Sequence, residues 1–591
     1  MKIKETSDNV KTAKAKESSI KINERLNVDF FRDLFDFIKE KLPSKDEIAK
    51  HKVLLCRKHR MKKIPTDIEI LLNAEEKDLP YLRRFLSTKP VRTGSGVAVI
   101  AIMTAPFRCP HGKCTYCPGG PNSFFGNVPQ SYTGTEPATM RGIRNHYDAY
   151  LQVMNRLEQY VAIGQSPDKV ELIIMGGTFP SYPDEYQEEF VRDAFQAMND
   201  FSNKFYRHKS LGLEDLDINE FKKFFLLPGD ISNVARTKDV QKRLLKLKET
   251  NKKGLLNVQT ENESTTIRCI GLTIETKPDW GLLKHGNMML RLGCTRVELG
   301  IQTIYETVLK ETHRGHTLQD SKDSIRSLRD LGFKLNFHMM PGLPGVNKEK
   351  DIACYEELFK NPDYRPDMLK IYPTMVMPGT KLYLDFKQGK FQPLGTDDAA
   401  EIISEAMRFV PRYCRIMRVQ RDIPTKYSIS GVDKNNLRQI VEDKIKKKGF
   451  TLQDIRSREI GRKNILDPVD FEIIEYPASN GKEFFISLKD SNDRLLGFVR
   501  MRFPSEALRE EFNDETAIIR ELHVYGAAIA IGEDEGNSQH RGFGRKLMEK
   551  AEEIARNHKK RKMLVISGVG VRAYYKMLNY ELEGPYMVKT L

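Results

Sequence analysis

Short apolar runs alternate with amphipathic helical stretches through the middle of the chain. One such helix places Tyr186, Phe190 and Ala194 on a single face, and the runs between helices have strand length. This alternation is typical of parallel βα units. The sequence therefore predicts an α/β fold over residues 96–375, in which six strands form a partial (β/α)6 barrel. The predicted strands are 97–104, 170–175, 269–275, 296–302, 333–340 and 368–372.

The segments around the predicted barrel have other patterns. Residues 1–20 are rich in Lys, Glu, Ser and Thr, so we expect a disordered basic arm there. Residues 21–95 carry apolar side chains at helical spacing and predict a basic helical region. We interpret the polar stretch 203–266 as a partly ordered surface insertion and residues 376–465 as a mixed connector.

From residue 466 the pattern becomes that of an antiparallel sheet. A glycine turn with the sequence Gln539-His-Arg-Gly542-Phe-Gly544 then opens a helix to about residue 557. Backbone N–H groups at such a turn can approach a pyrophosphate, and a helix N-terminus favours an anion. The order of elements resembles the GNAT acetyltransferase fold, so residues 466–591 are expected to form an α+β domain that binds acetyl-CoA. Its predicted strands are 469–477, 482–490, 494–504, 516–526 and 563–568.

The net charge of +16 over 591 residues predicts a polyanionic partner, with nucleic acid as the first candidate. The longest apolar runs, such as Val97–Met103, have only strand length, and the N-terminus has no apolar signal segment. We therefore expect a cytoplasmic protein with no membrane partner. A cluster of cations near residues 50–63 is either a solvated face or a phosphate-binding surface. The nucleic-acid-binding candidates are Lys50, Lys52, Arg57, Lys58, Arg60, Lys62, Lys63, Lys89 and Arg92.

Three of the eight cysteines lie together directly after the first predicted strand, as Cys109-Pro-His-Gly-Lys-Cys114-Thr-Tyr-Cys117. Three thiolates at this spacing can hold three irons of a [4Fe-4S] cluster and leave the fourth iron open to a cofactor such as S-adenosylmethionine (SAM). A zinc site with His111 as the fourth ligand is the alternative. The other five cysteines are isolated and are expected to be small buried residues.

Polar or glycine-rich residues follow the predicted barrel strands. Gly176-Gly177-Thr178 follows the second strand, Glu275 and Lys277 end the third, and Gln302 ends the fourth. In an α/β barrel the chemistry gathers at the C-terminal ends of the strands. Each end could by itself be only a turn, but together with the cysteines they predict one shared active-site rim.

The cysteine loop followed by Pro118-Gly-Gly resembles the radical SAM superfamily, although its spacing is C-x4-C-x2-C where C-x3-C-x2-C is usual. Together with the GNAT pattern, the chain from about residue 80 resembles the family of catalytic subunits of the Elongator complex. Six sequence blocks carry this resemblance in the family's order. They begin at Cys109, Lys169, Thr273, Val419, Glu521 and Ile566.

The resemblance implies a role for particular residues. Cys109, Cys114 and Cys117 would bind the [4Fe-4S] cluster. SAM would contact Gly176, Gly177, Thr178 and Gln302, with Glu275 as the acceptor for its amino group because Thr178 stands where many relatives have Glu. Acetyl-CoA would contact Lys169, Glu521, Leu522, His523, Val524, Phe543, Gly544, Arg545 and Tyr575. Tyr575, Glu521 and Lys277 would be catalytic.

The implied activity is the modification of the wobble uridine of tRNA. A SAM-derived radical would activate the methyl group of acetyl-CoA for addition to carbon 5, which gives carboxymethyluridine. One alternative is a conventional lysine acetyltransferase with a structural cluster, in which Glu521 is the general base. A second is an inactive tRNA-binding scaffold. The resemblance leaves open whether the chain acts alone, as a homodimer or with Elongator-like subunits.

Overall fold

The computed structural model describes residues 28–61, 63–75, 78–86, 96–207, 216–229, 233–461, 463–526 and 542–591. A parallel sheet forms the centre of the first domain, with strand order β1-β4-β5-β6-β7-β8-β9, and β2 and β3 form a separate hairpin. The strands are β1 (Val97–Met103), β2 (Gly120–Ser123), β3 (Gly126–Val128), β4 (Lys169–Met175), β5 (Arg268–Thr276), β6 (Arg296–Gln302), β7 (Lys334–Met339), β8 (Met368–Ile371) and β9 (Arg415–Val419).

Helices precede this sheet and connect its strands. The first four belong to the N-terminal region, and the others include the crossovers between parallel strands. They are α1 (28–41), α2 (Lys45–Lys58), α3 (Asp67–Asn73), α4 (Leu79–Leu86), α5 (Pro137–Arg144), α6 (Ala149–Ala162), α7 (Asp184–Phe205), α8 (Ile218–Phe225), α9 (Val234–Thr250), α10 (Leu255–Asn262), α11 (Leu283–Arg291), α12 (Glu306–Glu311), α13 (Leu318–Asp330), α14 (Lys348–Lys360), α15 (Lys381–Lys387), α16 (Thr396–Ala406), α17 (Leu437–Lys447) and α18 (Ile455–Arg458).

The six predicted barrel strands are confirmed, but the sheet has a seventh. Strand β9 pairs with β8 in parallel, and it lies inside the segment 376–465 that we interpreted as a connector. That interpretation was wrong for residues 415–419, because β9 is an edge strand. Its sequence Arg-Ile-Met-Arg-Val carries two cations and lacks the continuous apolar run of the inner strands.

The second domain is built on a seven-stranded mixed sheet. Strands β10 to β13 pair antiparallel, and β13 pairs with β14 in parallel. That parallel pairing covers only Thr516 to Ile519, so the second half of β13 diverges from its neighbour. The elements are β10 (Asp470–Ala478), β11 (Gly481–Lys489), β12 (Leu495–Phe503), β13 (Thr516–Val524), α19 (Phe543–Asn557), β14 (Lys562–Val565), α20 (Arg572–Lys576), β15 (Glu581–Glu583) and β16 (Tyr586–Thr590).

The insertion after α7 is more ordered than expected. Where the structure describes it, residues 203–266 contribute helices α8, α9 and α10. Phe221 and Phe225 of α8 are fully buried against Phe201 and Phe205 of α7. The interpretation of this stretch as partly ordered surface was therefore wrong for α8, since aromatic side chains attach it to the barrel.

A buried lattice of ion pairs joins the two domains. The Arg520 guanidinium of β13 donates to Asp367, just before β8, at 2.8 Å, and to Glu483 of β11 at 3.0 Å. Arg502 of β12 donates to Asp330, at the end of α13, at 2.7 Å. The lattice balances its charge with four arginines and four carboxylates, which are Arg329, Arg500, Arg502, Arg520, Asp330, Asp367, Glu483 and Glu521.

Backbone packing completes this interface. Strand β5 of the barrel lies against the chain that follows β14, and a Cβ atom on Gly568 would lie 2.1 Å from the carbonyl oxygen of Ile270. Only glycine permits this approach. The two domains are thus in contact through charged side chains and through main chain.

None of the helices in the described ranges has the length and apolar character needed to span a membrane. Several predictions from the sequence lie outside the described residues. They concern the arm 1–20, the cations Lys62, Lys89 and Arg92, and residues 539–541 of the glycine turn.

We predict that Arg520→Met destabilises the protein by about 3–5 kcal/mol, because it leaves Asp367 and Glu483 buried without their shared cation. Burial opposes ionisation of Asp367, but Arg520 and Arg500 hold its pKa below the usual value. The measurement is urea unfolding followed by circular dichroism. Arg561→Met removes an exposed pair with Glu515 and should cost less than about 1 kcal/mol. Equal losses in the two variants would contradict a structural role for the lattice.

Candidate active site

The C-terminal ends of the barrel strands surround a cavity that contains the cysteine loop. Cys109 is partly exposed, whereas Cys114 and Cys117 are buried. The Cys109 Sγ atom lies 3.8 Å from Thr178 Oγ1, and Cys117 Sγ lies 3.3 Å from Gln130 Oε1. Burial, and then the neighbouring Cys117, raise the pKa of the Cys109 thiol to about 11. The three side chains thus share one desolvated wall of the cavity.

The spacing of the sulfur atoms argues against a single metal ion. Zn–S bonds are about 2.3 Å long, so two sulfurs bound to one zinc lie at most about 4.6 Å apart. In the described ranges, the only three His, Cys, Asp or Glu residues whose ligand atoms all lie within 4.8 Å of one another are Glu275, Glu298 and His338. The cysteine trio is more widely spaced, which fits a larger group such as a [4Fe-4S] cluster and not the zinc alternative.

The predicted SAM residues lie beside the cysteines. Gly176 and Gly177 have φ angles of 134° and 114°, which favour glycine. A Cβ atom on Gly176 would lie 2.0 Å from Thr104 Oγ1, so this turn also needs glycine for space. Gln302 at the end of β6 has a φ of 70°. The same cavity is lined by Gly177, Thr178, Glu275, Lys277 and Gln302.

The lining of the same cavity also includes members of a charged cluster, Glu275, Glu298 and His338. Glu298 of β6 accepts hydrogen bonds from Asn336 at 3.1 Å and from His338 Nε2 at 2.8 Å, and it is ion-paired to Lys370. Tyr132 donates to Glu275 at 3.0 Å. Burial, and then the charge of Glu298, raise the pKa of Glu275 to about 7.

Two members of this cluster, Glu298 and Lys370, are not among the site residues predicted from the sequence. A signal was present, since Glu298 and Lys370 stand next to apolar residues within predicted strands, and buried ionisable groups are rare unless they have a partner.

A contact between loops brings the two edges of the sheet together above this cavity. Arg421, in the loop after β9, donates to the carbonyl oxygen of Ser131, which follows the hairpin β2–β3. Beside it, Ile423 packs with Met375 and Met377, and Phe125 of the hairpin packs against them. These contacts connect β1 and β9, the edge strands that share no ladder hydrogen bonds.

The predicted acetyl-CoA residues are mostly in the second domain. Glu521, Leu522, His523 and Val524 form the diverging half of β13, and Phe543, Gly544 and Arg545 begin α19. Lys169 begins β4, at the opposite end from the cysteine rim. Since a strand rises about 3.3 Å per residue, that seven-residue strand separates the two regions by about 20 Å.

The two tyrosines of α20 occupy different surroundings. Tyr575 is buried among the apolar residues of the second domain, and burial raises its pKa. The Tyr574 hydroxyl instead lies beside Gly544, at 2.7 Å from the position that a Cβ atom would take. Tyr574 is therefore the tyrosine of the pair whose hydroxyl faces the glycine turn.

Glu521 is an ion-pair partner in this structure. Its carboxylate accepts a hydrogen bond from Arg500 Nε at 2.8 Å. Burial opposes its ionisation, but Arg500 and Lys334 outweigh that effect and lower its pKa. A carboxylate with these cationic neighbours is difficult to protonate. This matters for its predicted role as a general base, since a base must take up a proton.

The basic N-terminal surface divides into paired and unpaired cations. Lys52 pairs with Asp67, Lys58 with Asp33, and Lys63 with Glu69, at 2.8, 2.6 and 2.8 Å. In the part of the region that the structure describes, three further candidates form no ion pair. These are Lys50, Arg57 and Arg60.

Comparison with known proteins gives a match to four family models along the chain. The Radical SAM superfamily model covers residues 104–357, the Radical_SAM C-terminal domain 366–447, the ELP3 N-terminal domain 34–94, and the Acetyltransferase (GNAT) family 452–580.

The chain is also similar to named proteins over most of its length. It is 42% identical to the tRNA uridine(34) acetyltransferase of Methanocaldococcus jannaschii over 95% of this chain and 97% of that one. It is 40% identical to Elongator complex protein 3 of Saccharomyces cerevisiae, with 90% of each chain covered. The chain belongs to the Elongator complex protein 3 family. The solved Elp3 of Methanocaldococcus infernus, which lacks residues 1–46, superposes with a TM-score of 0.67 at 37% identity, covering 84% of this chain and all of that one.

Membership in the Elongator complex protein 3 family confirms the predicted cofactors. Its radical SAM half uses a [4Fe-4S] cluster and SAM, and its GNAT half uses acetyl-CoA. The chain is thus an acyltransferase. Three convergent thiols and the glycine turn on the same rim are the features of this structure that fit the first two groups. The individual residue assignments stay predictions.

We predict that Glu275→Gln stabilises the unliganded protein at pH 8 more than at pH 5. Because the folded-state pKa of Glu275 is raised to about 7, its stability contribution falls as the pH rises from about 4.5 through 7. The difference should be on the order of 2–3 kcal/mol, at 1.36 kcal/mol per pKa unit. Urea midpoints at the two pH values measure it. Glu349→Gln, at an exposed position of α14, is the control, and the same pattern there would refute the assignment.

Proposed function

We propose that this chain is a tRNA uridine(34) acetyltransferase that adds a carboxymethyl group to carbon 5 of the wobble uridine. The observation that carries this proposal is that two candidate cofactor regions belong to one packed unit. The cysteine loop lies at one end of the barrel, and the GNAT domain, with its diverging strand β13, packs against the other end. Relatives named tRNA uridine(34) acetyltransferase align with 89% and 95% of this chain. Carbon 5 of uridine is a poor nucleophile for ordinary acyl transfer, which is a reason for two cofactors in one chain.

In this proposal the barrel residues bind and orient the cofactors. Cys109, Cys114 and Cys117 hold the cluster, and Gly176 with Gly177 makes room for SAM. When bound, the cluster and SAM supply a hydrogen-abstracting radical for the methyl group of acetyl-CoA. Glu275 accepts a hydrogen bond from the amino group of SAM, whose positive charge would favour the ionised carboxylate.

The rim of the cavity also separates the reacting groups from solvent. Lys277 is 2% exposed and paired with Asp279 at 3.2 Å, so it places a cation in a region with little water. Burial, followed by the charge of Arg314, lowers the pKa of Lys277. A buried ammonium at this point suits the stabilisation of negative charge during thioester cleavage or base modification.

The state of Glu521 favours the radical route over a conventional lysine acetyltransferase. A general base works best when its pKa is near the operating pH. Glu521 has a lowered pKa and holds Arg500 in the domain interface, so proton uptake would cost that ion pair. We therefore assign Glu521 a structural and acetyl-CoA-positioning role.

Substrate binding would use the basic N-terminal region. Lys50, Arg57 and Arg60 are the cations that the fold leaves for phosphate groups, whereas Lys52, Lys58 and Lys63 are engaged by neighbouring carboxylates. A single-stranded anticodon base can be splayed into a pocket at lower cost than a duplex base. A cytoplasmic location, a homodimer and Elongator-like partner subunits stay predictions.

We predict that trideuteromethyl acetyl-CoA transfers deuterium to 5′-deoxyadenosine in an anaerobic reaction with SAM, reductant and tRNA. Nucleoside mass spectrometry of the tRNA should show carboxymethyluridine in the same sample. Omitting SAM should abolish both products. Unlabelled 5′-deoxyadenosine together with SAM-independent lysine acetylation would reject the proposal in favour of the conventional acetyltransferase.

A triple variant separates phosphate contacts from structural cations. Lys50→Gln, Arg57→Gln and Arg60→Gln together should weaken tRNA binding and reduce the slope of log K against log salt by about 3, at about 0.9 per phosphate contact. The matched control is Lys52→Gln, Lys58→Gln and Lys63→Gln, which removes the same formal charge from ion-paired positions. Filter binding across a salt series measures both. If the control lowers the slope as much, the paired and unpaired cations are equivalent and the assignment fails.

A further inference from the structure

Arg314 is a buried cation for which the described residues supply no carboxylate. It lies in the loop between α12 and α13 and is 9% exposed. Its Nη2 donates to the carbonyl oxygen of Gly300 at 2.8 Å, its Nη1 lies 3.6 Å from Cys114 Sγ, and its Nε has no partner. In the described ranges it forms no ion pair, unlike the buried arginines of the domain interface.

The nearest other charges do not balance Arg314. Lys277 is also in this wall, but Asp279 neutralises it at 3.2 Å. Among the described residues neither ring nitrogen of the buried His316 imidazole has a hydrogen-bond partner, and His111 Nε2 lies 3.3 Å from Cys114 Sγ. Arg314 is therefore a buried cation with no carboxylate partner among the described residues.

A buried guanidinium stays protonated and is costly without a counterion. The cysteines alone do not provide one while they are thiols. Metal binding converts thiols to thiolates, so the loaded site becomes anionic next to Arg314. One-electron reduction of the cluster then adds a further negative charge at the same place, which increases the attraction.

We propose that Arg314 is a positioning residue that raises the reduction potential of the cluster by neutralising charge at Cys114. Potentials of iron–sulfur clusters depend on net charge and on hydrogen bonds to the sulfurs, and the Arg314 guanidinium changes both. The inference does not depend on the identity of the nucleic acid or on the fate of the acetyl group.

The test is a potentiometric titration of the reconstituted full-length protein without SAM, with a low-potential dye as the electron donor and electron paramagnetic resonance of the reduced cluster as the readout. Arg314→Met should make the reduced state at least tenfold less favourable, which for one electron is a shift of about 59 mV to more negative potential. Arg314→Lys keeps the charge and should retain most of the wild-type potential. The control, Arg141→Met, removes another inward-facing arginine, whose hydrogen bond goes to the carbonyl oxygen of Ala101.

Each outcome decides the inference. A wild-type potential in iron-loaded Arg314→Met would overturn it, and loss of SAM affinity at that unchanged potential would assign Arg314 to the SAM carboxylate instead. If Arg314→Met does not retain iron, retention of iron and potential by Arg314→Lys supports a requirement for the charge. Loss of iron in both variants would show that the guanidinium only supports the loop.

Discussion

The contact between Arg520, Asp367 and Glu483 is the constraint on which the relation between the two domains depends. Asp367 stands directly before β8 of the barrel, and Arg520 stands in β13 of the second sheet, so one ion pair ties both sheets to a fixed distance. Taking these charges out of water is favourable only while every partner is present. An arrangement of this kind permits few alternative ways to dock the two domains, because any other docking leaves buried charges unpaired.

The same lattice limits what Glu521 can do. This residue lies one position after Arg520, and its carboxylate faces Arg500, so it belongs both to the interface and to the diverging strand expected to bind acetyl-CoA. Because Glu521 serves both the domain interface and the candidate acetyl-CoA strand, it is hard to replace. Both roles restrict its chemistry. Tyr574 and Tyr575 show the converse, since one of these adjacent tyrosines faces the glycine turn and the other is buried in the core.

Much of the fold and part of the site followed from local sequence patterns. Apolar runs identified six barrel strands, and cysteine spacing identified the rim, because those signals are contained within a few residues. Strand β9 was not predicted because an edge strand with two arginines lacks such a pattern. A different reason explains why the sequence did not indicate Glu298, Lys370 and Arg314. Their importance arises from burial and from partners far away in the chain, and a single sequence gives neither.

The contacts between the loops next to β1 and β9 determine how the barrel is closed. They include the Arg421 contact to Ser131, a small apolar cluster around Ile423 and the hydrogen bond from Leu382 N to the carbonyl oxygen of Thr115, and β1 and β9 share no ladder hydrogen bonds. Neighbouring strands within the sheet are held instead by ladder hydrogen bonds. The two edges of the sheet are thus joined by loops, so the closure of the barrel on this side depends on loop and side-chain contacts and not on strand pairing.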